Sequence, residues 1–197
     1  MQYVLVAPPS AAHAPVPLLL LLHGAGDQAE NIIHAWEPLT QKKNIALLAP
    51  QLPRELSFEA AAPKIFRCVI DDARKQVSVD KHRIYLFGHS MGGYLAYDGA
   101  LLDANYYAAG AIHAMGIADE YAWIVDRATR KIPIAIYFGS KDEVVSLRQV
   151  EKTRYLLKKS GFSVHYAEMP EHGHNYYEIG SSLNNDIWRF LETYRLP

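Results

Sequence analysis

A chain of 197 residues, half of them apolar, can bury a core without disulfides or a structural metal and leaves little room for a second domain. Its formal net charge of −1 supplies no summed field to attract nucleic acid or an anionic membrane, so the expected partner is a small or neutral molecule. The single cysteine, Cys68, has no internal partner; in "KIFRCVIDDARK" it falls among apolar residues at helical spacing, which predicts a core thiol.

The N-terminal "MQYVLVAPPSAAHA" has no basic segment, and its apolar run stops at Pro8 and Pro9; "PLLLLLHG" is too short to cross a bilayer. A soluble, cytoplasmic chain is expected. Strand-length apolar runs follow in order at Tyr3 to Val6, Leu18 to Leu22, Ile45 to Ala49, Ile84 to Phe87, Gly110 to His113, Ile134 to Phe138 and Val164 to Ala167. Most are uniformly apolar, as strands buried on both faces should be. Between them, helical periodicity marks Ala29 to Lys42, Glu59 to Val77, Met91 to Leu102, Glu120 to Arg130, Ser146 to Lys159 and Tyr176 to Tyr194. This alternation predicts an α/β fold over residues 1–197 as one domain, with a mainly parallel sheet of about seven strands and helices on both faces.

Within that frame, "RIYLFGHSMGGYLAYDGALL" places Gly88 and Gly92 around Ser90, after a strand and directly before a helix. Glycines let the backbone pass a cramped turn, so a serine there projects its hydroxyl while the next amide and the helix N-terminus favour negative charge. Ser90 is the candidate nucleophile. Such a hydroxyl needs a base, and the base needs a third group to hold its tautomer. The loop after "IPIAIYFG" carries Asp142, with Glu143, Asp119 and Glu120 as further acids, and the loop after "VHYAEM" carries His172 and His174. Both loops follow strand C-termini, the edge where open α/β sheets bind ligands. His172 and His174 also form an H-x-H pair, but no convincing further ligands accompany it, so neither a metal nor another cofactor is expected. "LLLLLHGAGD" ends a strand in a glycine-flanked loop, which assigns the oxyanion donors to the backbone N–H groups of Ala25 and Met91 and a structural role to His23. His89 is expected to face away from the site, and His113 to be a surface or packing residue.

"LLLLLHGAGDQAENI", "ALLAPQ", "VDKHRIYLFGHSMGGYLA", "IYFGSKDEVV" and "GHNYYEIGSSLNNDIWRFL" together resemble the compact α/β-hydrolase esterases, near the polyhydroxybutyrate-depolymerase-like and feruloyl-esterase-like branch and the phospholipase/carboxylesterase branch. The resemblance implies an α/β-hydrolase fold with nucleophile Ser90, acid Asp142 and base His174 in "GHNYY", with the oxyanion amides at Ala25 and Met91. Such proteins usually carry one or two more strands ahead of the one at Tyr3, so by this resemblance the sheet is expected to be short at its N-terminal edge. Between His113 and Ile134 there is room for about one helix, so no cap domain is expected and the site should be open.

The expected activity is that of a serine carboxylesterase acting on short-chain or aryl acyl esters through an acyl-enzyme. Amide cleavage by the same residues, or a non-catalytic binding protein on this fold, are the alternatives. Tyr121, Trp123, Tyr176 and Tyr177 lie in or near the loops expected at the rim and are candidate substrate contacts.

Overall fold

The computed structural model describes residues 1–53 and 62–197. Strands β1 (Tyr3–Val6), β2 (Val16–Leu22), β3 (Ala46–Pro50), β4 (Val79–His89), β5 (Ala109–His113), β6 (Ile134–Gly139) and β7 (Val164–Met169) form one sheet in the order β1-β3-β2-β4-β5-β6-β7. Every pairing is parallel except β1 with β3, where Tyr3 stands opposite Pro50 in an antiparallel edge. β2, β4 and β5 form the centre of the sheet, where β2, β5 and the second half of β4, Ile84 to His89, are buried throughout.

Among the described residues six α-helices cover the two faces: α1 (Ala29–Lys43), α2 (Ala62–Ala73), α3 (Met91–Leu102), α4 (Ile124–Arg127), α5 (Leu147–Lys159) and α6 (Gly180–Leu191). Because successive strand residues point to opposite faces, a strand between two helix layers must be apolar throughout. Leu18, Leu20 and Leu22 pack with Phe66, Leu95 and Leu157 from α2, α3 and α5, while Leu19 and Leu21 pack with Trp36 of α1 and Trp188 of α6. Each of those leucines is fully buried. The expected α/β architecture is therefore the observed one.

Three local expectations need correction. Cys68 is exposed, not buried. In α2 the buried stripe is Phe66, Val69, Ile70 and Ala73, and at about 100° per residue Cys68 stands about 200° from Phe66, on the solvent side. The part of that predicted helix from Glu59 to Ala61 lies outside the described residues. The helix expected over Glu120 to Arg130 is a 3₁₀ turn, Asp119–Tyr121, and the single turn α4, which stops where Ala128 turns extended. Residues 114–133 thus insert no cap between β5 and β6. The last helix starts at Gly180 rather than Tyr176, after a 3₁₀ turn, Tyr176–Glu178, in which Asn175 accepts a hydrogen bond from the Tyr177 N–H. Among the described residues no helix is long and apolar enough to cross a membrane.

The first turn of α3 rests directly on the end of β2. A Cβ added to Gly92 would stand 2.0 Å from the Leu22 carbonyl oxygen, so two backbones meet there with no side chain between them. Gly92→Ala is expected to push α3 off the sheet and lower unfolding stability by about 3 kcal/mol or more, read from the urea midpoint of the purified variant.

Candidate active site

Four strands deliver the candidate residues to one edge of the sheet. β2 runs into the loop His23–Gly26, β4 into Ser90, β6 into the loop carrying Asp142, and β7 into the loop carrying His172 and His174. Ser90 sits in a strained turn, with φ 53° and ψ −122°. A non-glycine residue there persists only when its surroundings over-determine it. A Cβ on Gly88 would come within 2.1 Å of the Gly92 carbonyl oxygen, so only glycine permits the crossing, and the Ser90 N–H donates to the His113 carbonyl at 3.0 Å.

Ser90 Oγ lies 2.9 Å from His174 Nε2, and His174 Nδ1 lies 2.8 Å from Asp142 Oδ2. With a carboxylate facing Nδ1, that nitrogen carries the proton and Nε2 is left to accept from the serine hydroxyl. Asp142 Oδ1 accepts the N–H groups of Val144 and Val145, both at 2.9 Å, which fixes the acid's orientation, and its side chain is fully buried while His174 keeps a fifth of its surface. Asp142 does not cap α5. Ser146 does that, accepting from the Gln149 N–H. The other acids lie elsewhere: Asp119 pairs with Lys152, and Glu120 and Glu143 are exposed. His172 is buried with its ring 5.5 Å from that of His113, and the side-chain hydrogen bond of Ser90 goes to His174 instead. Among the described residues no group of three His, Cys, Asp or Glu side chains is placed to hold a metal ion.

The loop after β2 is held from several sides. His23 Nε2 accepts from the Leu52 N–H at 3.0 Å, and Gln51 accepts from the Ala29 N–H with its oxygen while its amide donates to the Asp27 carbonyl. Asp27 accepts from the Gln28 N–H, from Asn31 and from the Tyr177 hydroxyl, so this loop is tied to the one carrying His174. Burial works against the Asp27 charge, yet those hydrogen bonds hold its carboxyl below the usual carboxylate range. Among the described residues no hydrogen bond uses the Ala25 or Met91 N–H, and Met91 opens α3, where a helix leaves its N–H groups without intrahelical acceptors.

The rim residues divide. Tyr176 is fully buried, its hydroxyl on Asn184, and Tyr177 is partly exposed with its ring 5.2 Å from that of Tyr176. Tyr121 packs edge-on against Tyr94, one turn into α3 from Ser90. Trp123 instead lines a depression with Arg67, Leu102, Asp103 and Arg127, beside the far end of α3, about 16 Å along that helix from its start.

The largest departure is His89, expected to face away. It is 7% exposed and its ring centroid lies 5.1 Å from that of His174. His89 and His113 are register partners in β4 and β5, with their Nδ1 atoms 3.0 Å apart. Strand alternation carries the signal for both: Tyr85, Phe87 and His89 share one face, as do Ala109, Ala111 and His113, and Tyr176 packs against that face. Gln51 and the link from Asp27 to Tyr177 had no comparable signal, since each joins residues far apart in the chain.

Burial, and behind it the charge of a protonated His174, pushes His89 down to about 4; burial likewise holds His113 well below the usual histidine range. A histidine depressed in the fold takes up its proton later than in the unfolded chain, so its stability contribution is complete above about pH 6.5 and is lost as pH falls towards 4. Asp98, buried in α3 and pushed up to about 7 by burial, acts with the opposite sign, because the fold then holds a proton the unfolded chain has released. The clean observable is therefore a difference: between pH 7 and 5 wild type should lose about 2 kcal/mol more unfolding free energy than His89→Gln, measured by urea titration at both pH values.

Residues 17–186 match the Dienelactone hydrolase family. The bifunctional acetylxylan esterase/xylanase XynS20E of Neocallimastix patriciarum is 32% identical over 142 residues, covering 68% of this chain and 20% of that protein, so the chain spans about a fifth of the length of this relative. Among solved structures, a thermostable esterase superposes with a TM-score of 0.76 at 23% identity over 98% of this chain and 59% of its own. Esterase PE8 gives a TM-score of 0.76 at 18% identity over 95% and 99%, and Est1E from Butyrivibrio proteoclasticus 0.72 at 16% over 97% and 94%. These likenesses establish the fold expected from the motifs. With a seven-stranded sheet of this topology and a family match over most of its length, the chain belongs to the dienelactone hydrolase family of the α/β-hydrolase superfamily.

Proposed function

We propose that residues 1–197 form one catalytic unit, a serine carboxylesterase with Ser90 as nucleophile, His174 as base and Asp142 as its orienting acid. The observation that carries this reading is the unbroken line of hydrogen-bond distances from Ser90 Oγ through His174 to Asp142, 2.9 and 2.8 Å. His174 Nε2 takes the hydroxyl proton as Oγ attacks the ester carbonyl, and Asp142 stabilises the imidazolium that forms. The N–H groups of Ala25 and Met91 meet the negative oxygen of the tetrahedral intermediate. As the carbonyl re-forms, the proton on His174 passes to the leaving alcohol, and an acyl-enzyme remains on Ser90. Water then enters, gives its proton to His174, attacks the acyl carbon and releases the acid as Ser90 Oγ recovers its proton.

Short acyl groups are the expected substrates. Residues 114–133 insert no cap between β5 and β6, so specificity comes from loop side chains, Tyr121 and Tyr177 among them, while Tyr176 is buried beneath the rim. An open rim also admits an ester carried on a sugar or polymer, and the curated relative, an acetylxylan esterase/xylanase, supports an acetyl group on a carbohydrate.

Ser90→Ala should keep its thermal midpoint and lose p-nitrophenyl acetate hydrolysis by about 10⁴-fold or more. His174→Ala should fall nearly as far, while His172→Ala should cost less than about tenfold. A dead His172 variant beside an active His174 variant would reassign the base. In a chain-length series rates should fall beyond about octanoate, and a preference for emulsified triglyceride with activation at the oil surface would contradict an open site.

A further inference from the structure

His89 stands where three parts of the site meet. An ideal Cβ on Gly24, in the loop after β2, would lie 3.3 Å from His89 Cδ2 and 3.6 Å from its Nε2, and 3.7 Å from Ser90 Cβ. Across the ring from that edge, Nδ1 meets His113 Nδ1 at 3.0 Å. His174 packs at 5.1 Å between centroids, and Tyr176 stacks at 5.7 Å.

The proton positions follow by elimination. One of the two facing Nδ1 atoms must donate and the other accept. His113 is fully buried, and its Nε2 has no hydrogen-bond partner among the described residues. If His113 carried its proton on Nε2, a buried N–H would be left without an acceptor, which is costlier and rarer than an unfilled lone pair. His113 therefore holds its proton on Nδ1 and donates it to His89 Nδ1. His89, neutral, must then carry its own proton on Nε2, at the edge that faces Gly24.

We propose that His89 is a positioning residue for acyl transfer: locked by His113 as the Nε2–H tautomer, it wedges between Gly24 and the His174 ring, fixes their spacing, and turns an N–H dipole towards the loop that receives the oxyanion. This rests on the triad reading of the site. Two consequences follow from the geometry. His89 offers no lone pair on its Gly24 edge, so it does not compete with His174 for the serine proton. The positive end of its N–H adds to the field of the Ala25 and Met91 amides, where charge develops only during reaction, so the effect belongs in kcat rather than in KM.

The test combines a tautomer measurement with kinetics on the whole chain. Nitrogen-15 NMR of the histidine side chains at pH 7, assigned by the signal missing in His89→Gln, should show His89 protonated on Nε2 and bare on Nδ1. On p-nitrophenyl acetate, His89→Phe keeps a flat ring without nitrogens and should lower kcat about tenfold or more with KM held within about twofold. His89→Gln can place an amide N–H near the lost Nε2, and His89→Asn reaches only to the Nδ1 position, so Gln should recover more of kcat than Asn. A proton on His89 Nδ1, wild-type kcat in His89→Phe, or Asn equal to or better than Gln would each overturn the proposal. The Gln and Asn comparison decides if His89→Phe does not fold. Failure of the triad reading would show separately, as Ser90→Ala hydrolysing the ester at the wild-type rate.

Discussion

The whole site hangs on a turn too tight for side chains. Where β4 passes into α3, the backbone at Gly88 lies against the Gly92 carbonyl, and Gly92 lies against the Leu22 carbonyl at the end of β2. That double contact forces Ser90 to φ 53°, a conformation that costs of order 1–3 kcal/mol and persists because both neighbours are locked by the sheet. The same contact sets the distance between Ser90 and the loop after β2, since that loop leaves the strand whose last carbonyl is touched. Position of the hydroxyl and position of the candidate oxyanion donors thus have one cause, the close packing of three backbone segments.

Around this turn the polar groups are arranged in two tiers. The upper tier is Ser90, His174 and Asp142, with Asp142 held by two backbone N–H groups so that its other oxygen meets the base. The lower tier is His89, His113 and Tyr176, buried beneath His174, with Tyr176 stacked on His89 and tilted against His113. Burial keeps both of these histidines uncharged near neutrality, which bears on the proposed base above. A cation at this depth would oppose the imidazolium that the proposed mechanism forms at His174, whereas neutral rings supply packing without that repulsion.

The fold was legible because β2, β5 and the Ile84–Phe87 stretch of β4 sit between two helix layers and so are apolar on both faces, a pattern that solvent-facing strands do not share. Ser90 was legible because the glycines its turn demands flank it in sequence, and the strand and helix on either side are unambiguous. His174 was harder, since "EHGHNYY" offers two histidines and residue chemistry alone does not choose; the family resemblance did, and the structure brings His174 to Ser90 while burying His172 under His113. Cys68 was misread because "IFRCVI" is apolar throughout, and only the phase of Phe66, Val69 and Ile70 decides which side faces in. The link from Tyr177 to Asp27 joins residues far apart in the chain through side-chain atoms alone, so no local pattern encodes it. Trp123 had a loop address but not a depth, and its place beside the far end of α3 depends on how α4 packs.

The central claim is that Ser90 is a nucleophile activated by His174, and covalent capture tests it most directly. Wild-type protein treated with a fluorophosphonate should gain the mass of a single adduct, and peptide mapping should place it on Ser90, with His174→Ala labelled far more slowly and Ser90→Ala not at all. An adduct on another residue, or equal labelling of Ser90→Ala and wild type, would contradict the account.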